Sequence, residues 1–165
     1  MTEPRLRSID EDDLPALLVI HNEAVLTGTA IWSVVPGTLA DRQALLESRR
    51  AAGFPFIAAD LEGELAGYAS FGAFRPWDGY LHTVEHSVYV RADLRGRRIG
   101  GMLLERLIQE ARRLNKHVMI GGIEAGNAAS LALHRRHGFV EAGRLRQVGR
   151  KFDRWLDLVF MQKML

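Results

Sequence analysis

The chain has 165 residues, of which 22 are lysine or arginine, 20 are aspartate or glutamate, and none is cysteine. This length predicts one domain, over residues 1–165, with a full hydrophobic core. The lack of cysteine excludes disulfides, thiolate metal sites and a cysteine nucleophile. A net charge of +2 is too small for a general nucleic-acid binder, which usually carries a concentrated basic face.

The sequence shows neither a secretion signal nor a membrane-spanning segment. Its N-terminus has no apolar stretch behind a basic one. No apolar run approaches the roughly 20 residues needed to cross a bilayer. We therefore expect a cytoplasmic protein without a membrane partner.

The first half of the chain is predicted to form a strand, two helices and then a hairpin. Acidic residues 10–13 supply an N-cap and first-turn charges for the first helix. Thr38 and Asp41 resemble a capping box at the start of the second helix, and Glu62-Gly63 is a hairpin signal. The predicted elements are a strand over 5–9, helices ending near 25 and 52, and strands over 56–60 and 64–74.

The second half alternates strands and helices. Residues 83–91 are rich in β-branched and aromatic side chains, which favour a strand. An arginine- and glycine-rich loop follows, and then a helix with one apolar stripe runs to about residue 114. The remaining predictions are a strand over 117–124, a helix over 127–137, and strands over 139–148 and 155–164. This order predicts an α/β fold in which a mixed sheet carries helices on both faces.

The junction between the fourth predicted strand and the next helix carries three arginines and three glycines within residues 95–101. Unpaired N–H groups at a helix start carry partial positive charge, and glycine lets an anion approach the backbone closely. Together these features predict a phosphate-binding site. The spacing matches neither the P-loop nor the dinucleotide-binding fingerprint. The alternative is a solvated basic loop in front of an ordinary surface helix.

The segment Arg95-Gly-Arg-Arg98-Ile-Gly100 resembles the pyrophosphate motif of the GCN5-related N-acetyltransferase (GNAT) superfamily, Gln/Arg-x-x-Gly-x-Gly/Ala. Arg98 stands where the family usually has glycine, and its backbone N–H can still donate. Further segments resemble the phosphinothricin and methionine sulfoximine acetyltransferase branch, and their joint occurrence in order is far more specific than the motif. These segments are Trp32, Phe74-Arg-Pro-Trp77, Thr83–Val90, Gly126-Asn-Ala-Ala-Ser130, Leu133-His-Arg-Arg136, Gly138-Phe139 and Trp155-Leu-Asp157.

The resemblance implies a GNAT fold, whose central sheet is splayed open between the strands at 84–90 and 116–124. Acetyl-CoA is then the expected co-substrate, with its pantetheine arm in the cleft and its pyrophosphate on the basic loop. Small amino-acid-like amines, such as methionine sulfoximine, methionine sulfone or phosphinothricin, are the implied acceptors. Members of this branch are commonly dimers, so a homodimer is expected. The implied cofactor-binding residues are Val88, Tyr89, Val90, Arg95, Gly96, Arg97, Arg98, Ile99, Gly100, Asn127 and Ser130.

Amide formation from a thioester requires an amine that has lost its proton and a donor for the oxyanion, and the departing thiolate benefits from a proton. Glu85 lies in an apolar run, where partial burial would raise its pKa and make it a candidate base. Orientation of the amine alone is the alternative role. The resemblance makes His134 a second catalytic candidate, because the family typically has a proton-donating tyrosine there; packing or a coenzyme A contact is the alternative. We expect direct transfer in a ternary complex, without a metal.

The segment before Glu85 is predicted to recognise the acceptor. Arg75 can grip a carboxylate with two hydrogen bonds, and nearby aromatic side chains can form a wall for an apolar group; a structural turn is the alternative. His86 should lie on the opposite face of the strand from Glu85 as a structural histidine, with substrate contact as the alternative. The predicted substrate-binding residues are Trp32, Phe74, Arg75, Trp77, Glu85 and His86.

Two other functions fit parts of the pattern. Acetylation of a protein or peptide N-terminus on the same scaffold would require an open groove in place of a closed aromatic pocket. A non-catalytic acyl-CoA sensor would keep the basic loop but would not need Glu85 among apolar neighbours.

Overall fold

The computed structural model describes residues 3–165, which build a seven-stranded sheet with helices on both faces. The strands are β1 (Arg5–Ser8), β2 (Phe56–Leu61), β3 (Glu64–Ala73), β4 (Thr83–Val90), β5 (Val118–Glu124), β6 (Val140–Lys151) and β7 (Arg154–Met164). The helices are α1 (Leu14–Thr27), α2 (Leu39–Ala51), α3 (Ile99–Arg113) and α4 (Ala128–Arg136). Short 3-10 turns lie at Glu11–Asp13, Asp78–Tyr80 and Ala92–Leu94.

The strands lie in the order β1-β2-β3-β4-β5-β7-β6, and β4 with β5 is the parallel pair between otherwise antiparallel neighbours. Because side chains alternate along a strand, each face of the sheet has its own core. Phe71 of β3 belongs to the core that contains the apolar stripe of α3, whereas Tyr68 packs with Leu17 of α1 and Leu46 of α2. The predicted mixed α/β sheet with helices on both faces is therefore confirmed.

Two element boundaries differ from the sequence prediction. The first helix begins as a 3-10 turn, because Asp10 and Asp13 form a capping box around it. The sixth strand does not end at Val148 but continues to Lys151, after a register shift between Leu145 and Gly149. Such a bulge interrupts the alternation of apolar and polar residues that marks a strand in sequence.

The central feature of the sheet is a fork between β4 and β5. The two strands pair over only three positions, and the last pair joins Glu85 to Ile120. Beyond it β4 continues to Val90 beside β3, and β5 continues to Glu124 beside β7. The backbone groups of 86–90 that face β5 are therefore left without a strand partner. This is the splayed cleft that the sequence resemblance implied.

Candidate active site

The predicted anion loop, residues 95–100, ends at the N-terminus of α3. Arg98 is the N-cap residue and adopts the left-handed conformation, with φ of 66°. Its carbonyl accepts from the N–H groups of Gly101 (3.0 Å) and Met102 (3.1 Å). Within residues 3–165, no side chain caps this helix end, so the first N–H groups face outward with the positive end of the helix dipole.

This conformation explains why glycine is the usual residue at position 98. A left-handed φ strains a residue that has a Cβ, and glycine avoids that strain. Arg98 nevertheless keeps the backbone N–H in the required direction. The side chains of Arg95, Arg97 and Arg98 are all exposed, so they add positive charge around the backbone donors.

The start of α3 lies at the open end of the fork. A Cβ on Gly100 would lie 3.6 Å from Val90 of β4 and 3.5 Å from Leu133 of α4. The second helix beside the fork, α4, begins at Asn127, whose side-chain oxygen accepts from the N–H of Ser130 (3.1 Å). The structure thus brings the predicted cofactor-binding residues of β4, α3 and α4 to one end of the cleft.

Glu85 lies where β4 and β5 separate, on the face of the sheet that carries α1 and α2. Its carboxylate lies over β5, where Oε1 would be 3.2 Å from a Cβ placed on Gly122. Burial raises the pKa of Glu85, and the nearby charge of Arg75 opposes this rise only in part. A half-buried carboxylate with a raised pKa is a stronger proton acceptor than an exposed one.

Aromatic rings cluster at the mouth of the cleft. Phe74 packs on Tyr80 (5.8 Å between centroids) and on Phe160 (6.3 Å), and Trp77 packs on Tyr80 (6.4 Å). The guanidinium of Arg75 lies 4.0 Å from the centre of the Phe74 ring and donates to the Phe74 carbonyl. Sequence reasoning missed Tyr80 and Phe160, since neither belongs to the segments that resemble the family.

Trp32 lies at a different part of the site from Phe74. Its ring covers Gly149 of β6 so closely that a Cβ at this position would collide with the ring carbons. Its indole N–H donates to the Thr29 carbonyl (2.9 Å), and the Thr29 hydroxyl donates to Glu124 at the end of β5 (3.2 Å). Trp32 therefore forms a wall beyond the end of β5 and is separate from the Phe74 cluster.

Lys151 fixes the loop that carries Trp32. Its buried ammonium donates to the carbonyls of Val25 (2.5 Å), Gly28 (2.7 Å) and Ile31 (2.6 Å). Val25 lies in the last turn of α1, where carbonyls lack helical partners and a cation is favourable. No local sequence pattern predicts these three hydrogen bonds, because Lys151 lies 120 or more residues from each acceptor.

His86 and His134 form a buried pair on the opposite face of the sheet from Glu85. The Nδ1–H of His86 donates to the Ile120 carbonyl (2.8 Å), and that of His134 donates to the Ser130 carbonyl (2.7 Å). The two Nε2 atoms lie 2.8 Å apart. Two neutral rings have two ring protons for these three contacts, so one contact lacks a hydrogen until the pair takes up a proton.

Burial opposes that uptake. It lowers the pKa of His86 to about 3, and it also lowers the pKa of His134. Both nitrogens of His134 face buried partners, so the geometry does not favour this ring as the proton donor to a leaving thiolate. Likewise, His86 is 7% exposed and faces α4, a position that fits the structural histidine expected from the sequence. The geometry does not favour the alternative role, contact with the substrate.

Among residues 3–165, no helix combines the length and apolar character needed to span a membrane. No group of three histidine, aspartate or glutamate side chains in that range is arranged to hold a metal ion.

Residues 15–139 match the model of the acetyltransferase (GNAT) family, and the chain therefore belongs to that family. It is an acetyltransferase by this membership. Over 158 residues it is 52% identical to an L-methionine sulfoximine/L-methionine sulfone acetyltransferase of Pseudomonas aeruginosa, covering 95% of this chain and 92% of that protein.

Two solved structures show how closely the fold is shared. A ribosomal-protein-alanine N-acetyltransferase from Brucella melitensis has 55% sequence identity and a TM-score of 0.96, covering 98% of this chain and 99% of that one. A phosphinothricin acetyltransferase from Sinorhizobium meliloti, solved with acetyl-CoA, has 34% identity and a TM-score of 0.96, covering 99% and 89%.

The buried histidine pair makes stability depend on pH. The unfolded chain protonates His86 below its ordinary pKa of 6.5, whereas the folded chain resists protonation down to a pKa of about 3. The free energy of unfolding should therefore fall as the pH is lowered from about 6.5 towards 3, by up to about 1.4 kcal/mol per pH unit for one such group. Urea denaturation at pH 7.5, 6 and 5 measures this slope.

The matched variants are His86→Gln, which removes the buried titrating ring, and His117→Gln, which alters an exposed one. His86→Gln should flatten the slope, and His117→Gln should leave it unchanged. Equal slopes in all three proteins would show that His86 does not titrate in this way.

Proposed function

We propose that this enzyme transfers the acetyl group of acetyl-CoA to the α-amine of a small amino-acid-like acceptor, by direct attack in a ternary complex. The observation that carries the proposal is the fork between β4 and β5, which has Glu85 at its closed end and the uncapped start of α3 at its open end. A thioester anchored at the open end would present its carbonyl near the carboxylate. The names of the relatives support an acceptor of methionine sulfoximine, methionine sulfone or phosphinothricin type.

Acetyl-CoA fits the residues at the open end. Its pyrophosphate suits the outward N–H groups and the three arginines of residues 95–100. The unpaired edge of β4 at Val88, Tyr89 and Val90 offers hydrogen bonds to the amides of the pantetheine arm. Bound acetyl-CoA supplies the activated acyl group, and Asn127 and Ser130 flank its expected path at the start of α4.

Glu85 is proposed as the base that takes the amine proton, directly or through a water. A protonated amine has no lone pair, so attack requires this transfer first. Because the pKa of Glu85 is raised, it differs less from the pKa of an amine, and this favours proton transfer from the amine to the carboxylate. Phe74, Trp77, Tyr80 and Arg75 then surround the acceptor at the mouth of the cleft.

The chemistry requires a base and donors to the oxyanion, and neither role calls for a metal. We place the enzyme in the cytoplasm, where acetyl-CoA is available. No nucleic acid or membrane enters the proposed reaction.

A second candidate function is acetylation of protein N-terminal residues. The similarity to the ribosomal-protein-alanine N-acetyltransferase from Brucella melitensis favours it. Both functions use the same fork and base, so the acceptor distinguishes them.

A thiol-release assay with acetyl-CoA tests the function. The acceptors are methionine sulfoximine, methionine sulfone, phosphinothricin, ordinary amino acids and a peptide with an N-terminal alanine. We expect the three analogues to be the best acceptors and the peptide to be poor. Fast release with the peptide alone would establish the second candidate, and no release with any acceptor would reject both.

Glu85→Gln is the matched variant for this assay. It keeps the shape and hydrogen-bonding capacity of the side chain but removes the base. It should lower turnover by about 10²- to 10⁴-fold, most strongly at lower pH, where little of the amine is unprotonated. Wild-type rates across the pH range would exclude Glu85 from proton transfer.

Charge reversal tests the basic loop. Arg97→Glu should raise the Michaelis constant for acetyl-CoA by about tenfold or more, because it places a carboxylate beside the pyrophosphate. Arg98→Gly should have a smaller effect, since it retains the N–H and fits the left-handed φ of this residue. Arg5→Glu, at an exposed position on β1, is the control. Equal constants for Arg97→Glu and wild type would contradict this placement.

We also propose a homodimer that uses the edge strand β6. Val140, Leu145 and Val148 of this strand are 46–65% exposed, and Trp155 beside it on β7 is 60% exposed. An exposed apolar edge strand is commonly covered by another chain. Sedimentation velocity should show a dimer for the wild type and a shift towards monomer for Val148→Glu. A monomeric wild type would reject the proposal.

A further inference from the structure

Arg49 of α2 lies against β3, on the face of the sheet that also carries Glu85. A Cβ on Gly72 of β3 would lie 2.8 Å from its Nη1 and 3.0 Å from its Cζ and Nη2. The guanidinium therefore occupies the space that any other residue at position 72 would fill. This close approach requires glycine at that position for reasons of space, since the φ of Gly72 is not positive.

Among the described residues, the outer nitrogens of this guanidinium have no hydrogen-bond partner. Its Nε donates to the hydroxyl of Ser70 (3.0 Å). Across residues 3–165 this is its single side-chain hydrogen bond, and no carboxylate forms an ion pair with it. Burial lowers the pKa of Arg49, and no neighbouring carboxylate compensates for this. A half-buried cation whose outer donors are not used by the protein is available to bind an anion.

The register places this cation on the same face of the sheet as the proposed base. Gly72 is directly opposite Glu85 in the β3–β4 ladder, so both positions share one face of the sheet. The guanidinium lies over β3, whereas the Glu85 carboxylate leans towards Gly122 of β5. At the level of Glu85, the last position at which β4 and β5 pair, two strand spacings, about 10 Å, separate β3 from β5. An α-amino acid with a hydrogen bond of about 2.9 Å at each end can bridge such an interval.

We propose that Arg49 binds the carboxylate of the acceptor and thereby selects free amino acids over amides and peptides. This inference rests on the proposed function and assigns the carboxylate-binding role that sequence reasoning gave to Arg75. A guanidinium presents two parallel N–H groups to a carboxylate. The acceptor's amine then points towards Glu85. Arg75 is exposed and lies on the Phe74 ring, so it contributes at the rim of the cleft.

The test compares methionine sulfone with its carboxamide, which differ only in the group that Arg49 would bind. The wild type should prefer the acid. Arg49→Met should lower kcat/KM for the acid by about 10- to 100-fold, as expected for loss of hydrogen bonds to a charged group, and should leave the amide within threefold. Calorimetric binding of acetyl-CoA, unchanged in the variant, shows that the fold and the other substrate site are intact.

Three further variants make the test specific. Gly72→Ala places a methyl group 2.8 Å from Nη1, which is too close for the guanidinium to keep its position. It should therefore reduce the preference for the acid without removing the charge. Arg50→Met removes the charge of the neighbouring arginine of α2, which is exposed and pairs with Glu11. It should leave kcat/KM for both acceptors unchanged. Arg75→Ala should keep the acid-to-amide ratio, whatever its effect on the rates.

The outcomes separate this inference from the proposed function. An Arg49→Met enzyme that retains the wild-type ratio, or an Arg75→Ala enzyme that loses it, overturns the inference while the function stands. A wild type that acetylates neither compound rejects the function itself. If Arg49→Met does not fold, Arg49→Lys and Gly72→Ala decide. The inference then stands only if both reduce the preference for the acid, and otherwise it fails.

Discussion

The site depends on the interruption of the ladder between β4 and β5 after Glu85 and Ile120. A parallel pair normally continues along both strands, but here the next residue of β4, His86, uses its side chain to reach the Ile120 carbonyl. Its Nε2 lies 2.8 Å from that of His134 of α4. A buried histidine pair thus lies where the two strands separate, on one face of the sheet, and the reaction is proposed on the other.

Glycine makes this arrangement possible at three positions of the sheet. A Cβ would lie 2.7 Å from the His86 ring at Gly121, 3.2 Å from the Glu85 carboxylate at Gly122 and 2.8 Å from the Arg49 guanidinium at Gly72. Glycine normally weakens a strand, because it has the most conformational freedom to lose and no side chain to pack. Here the absent side chains leave room for three polar groups to lie flat on the strands. We infer that these glycines shape the cleft on both faces.

Much of the fold could be predicted from local patterns, because helix caps, apolar stripes and hairpin turns are encoded by neighbouring residues. The basic loop and Glu85 could also be found, since an arginine–glycine cluster and a carboxylate in an apolar strand are unusual in themselves. Arg49 and Lys151 could not. Arg49 resembles an ordinary residue of a polar helix, and its position against Gly72, on the same face of the sheet as Glu85, appears only once β3, β4 and α2 are packed. Lys151 likewise gains its role from a loop that is distant in sequence.

The charges in the cleft favour a particular kind of acceptor. In the free enzyme, burial raises the pKa of Glu85 and lowers that of Arg49, so the surroundings disfavour the charged form of each group. A peptide N-terminus brings an amine for Glu85 but no adjacent carboxylate for Arg49. A free amino acid is a zwitterion, and it brings a charge of the right sign for each. A buried charge is unfavourable until it is paired. The zwitterion would therefore offset the burial cost of both Glu85 and Arg49, whereas the peptide would offset only that of Glu85. In both cases the amine is attracted to the carboxylate that is proposed to take its proton.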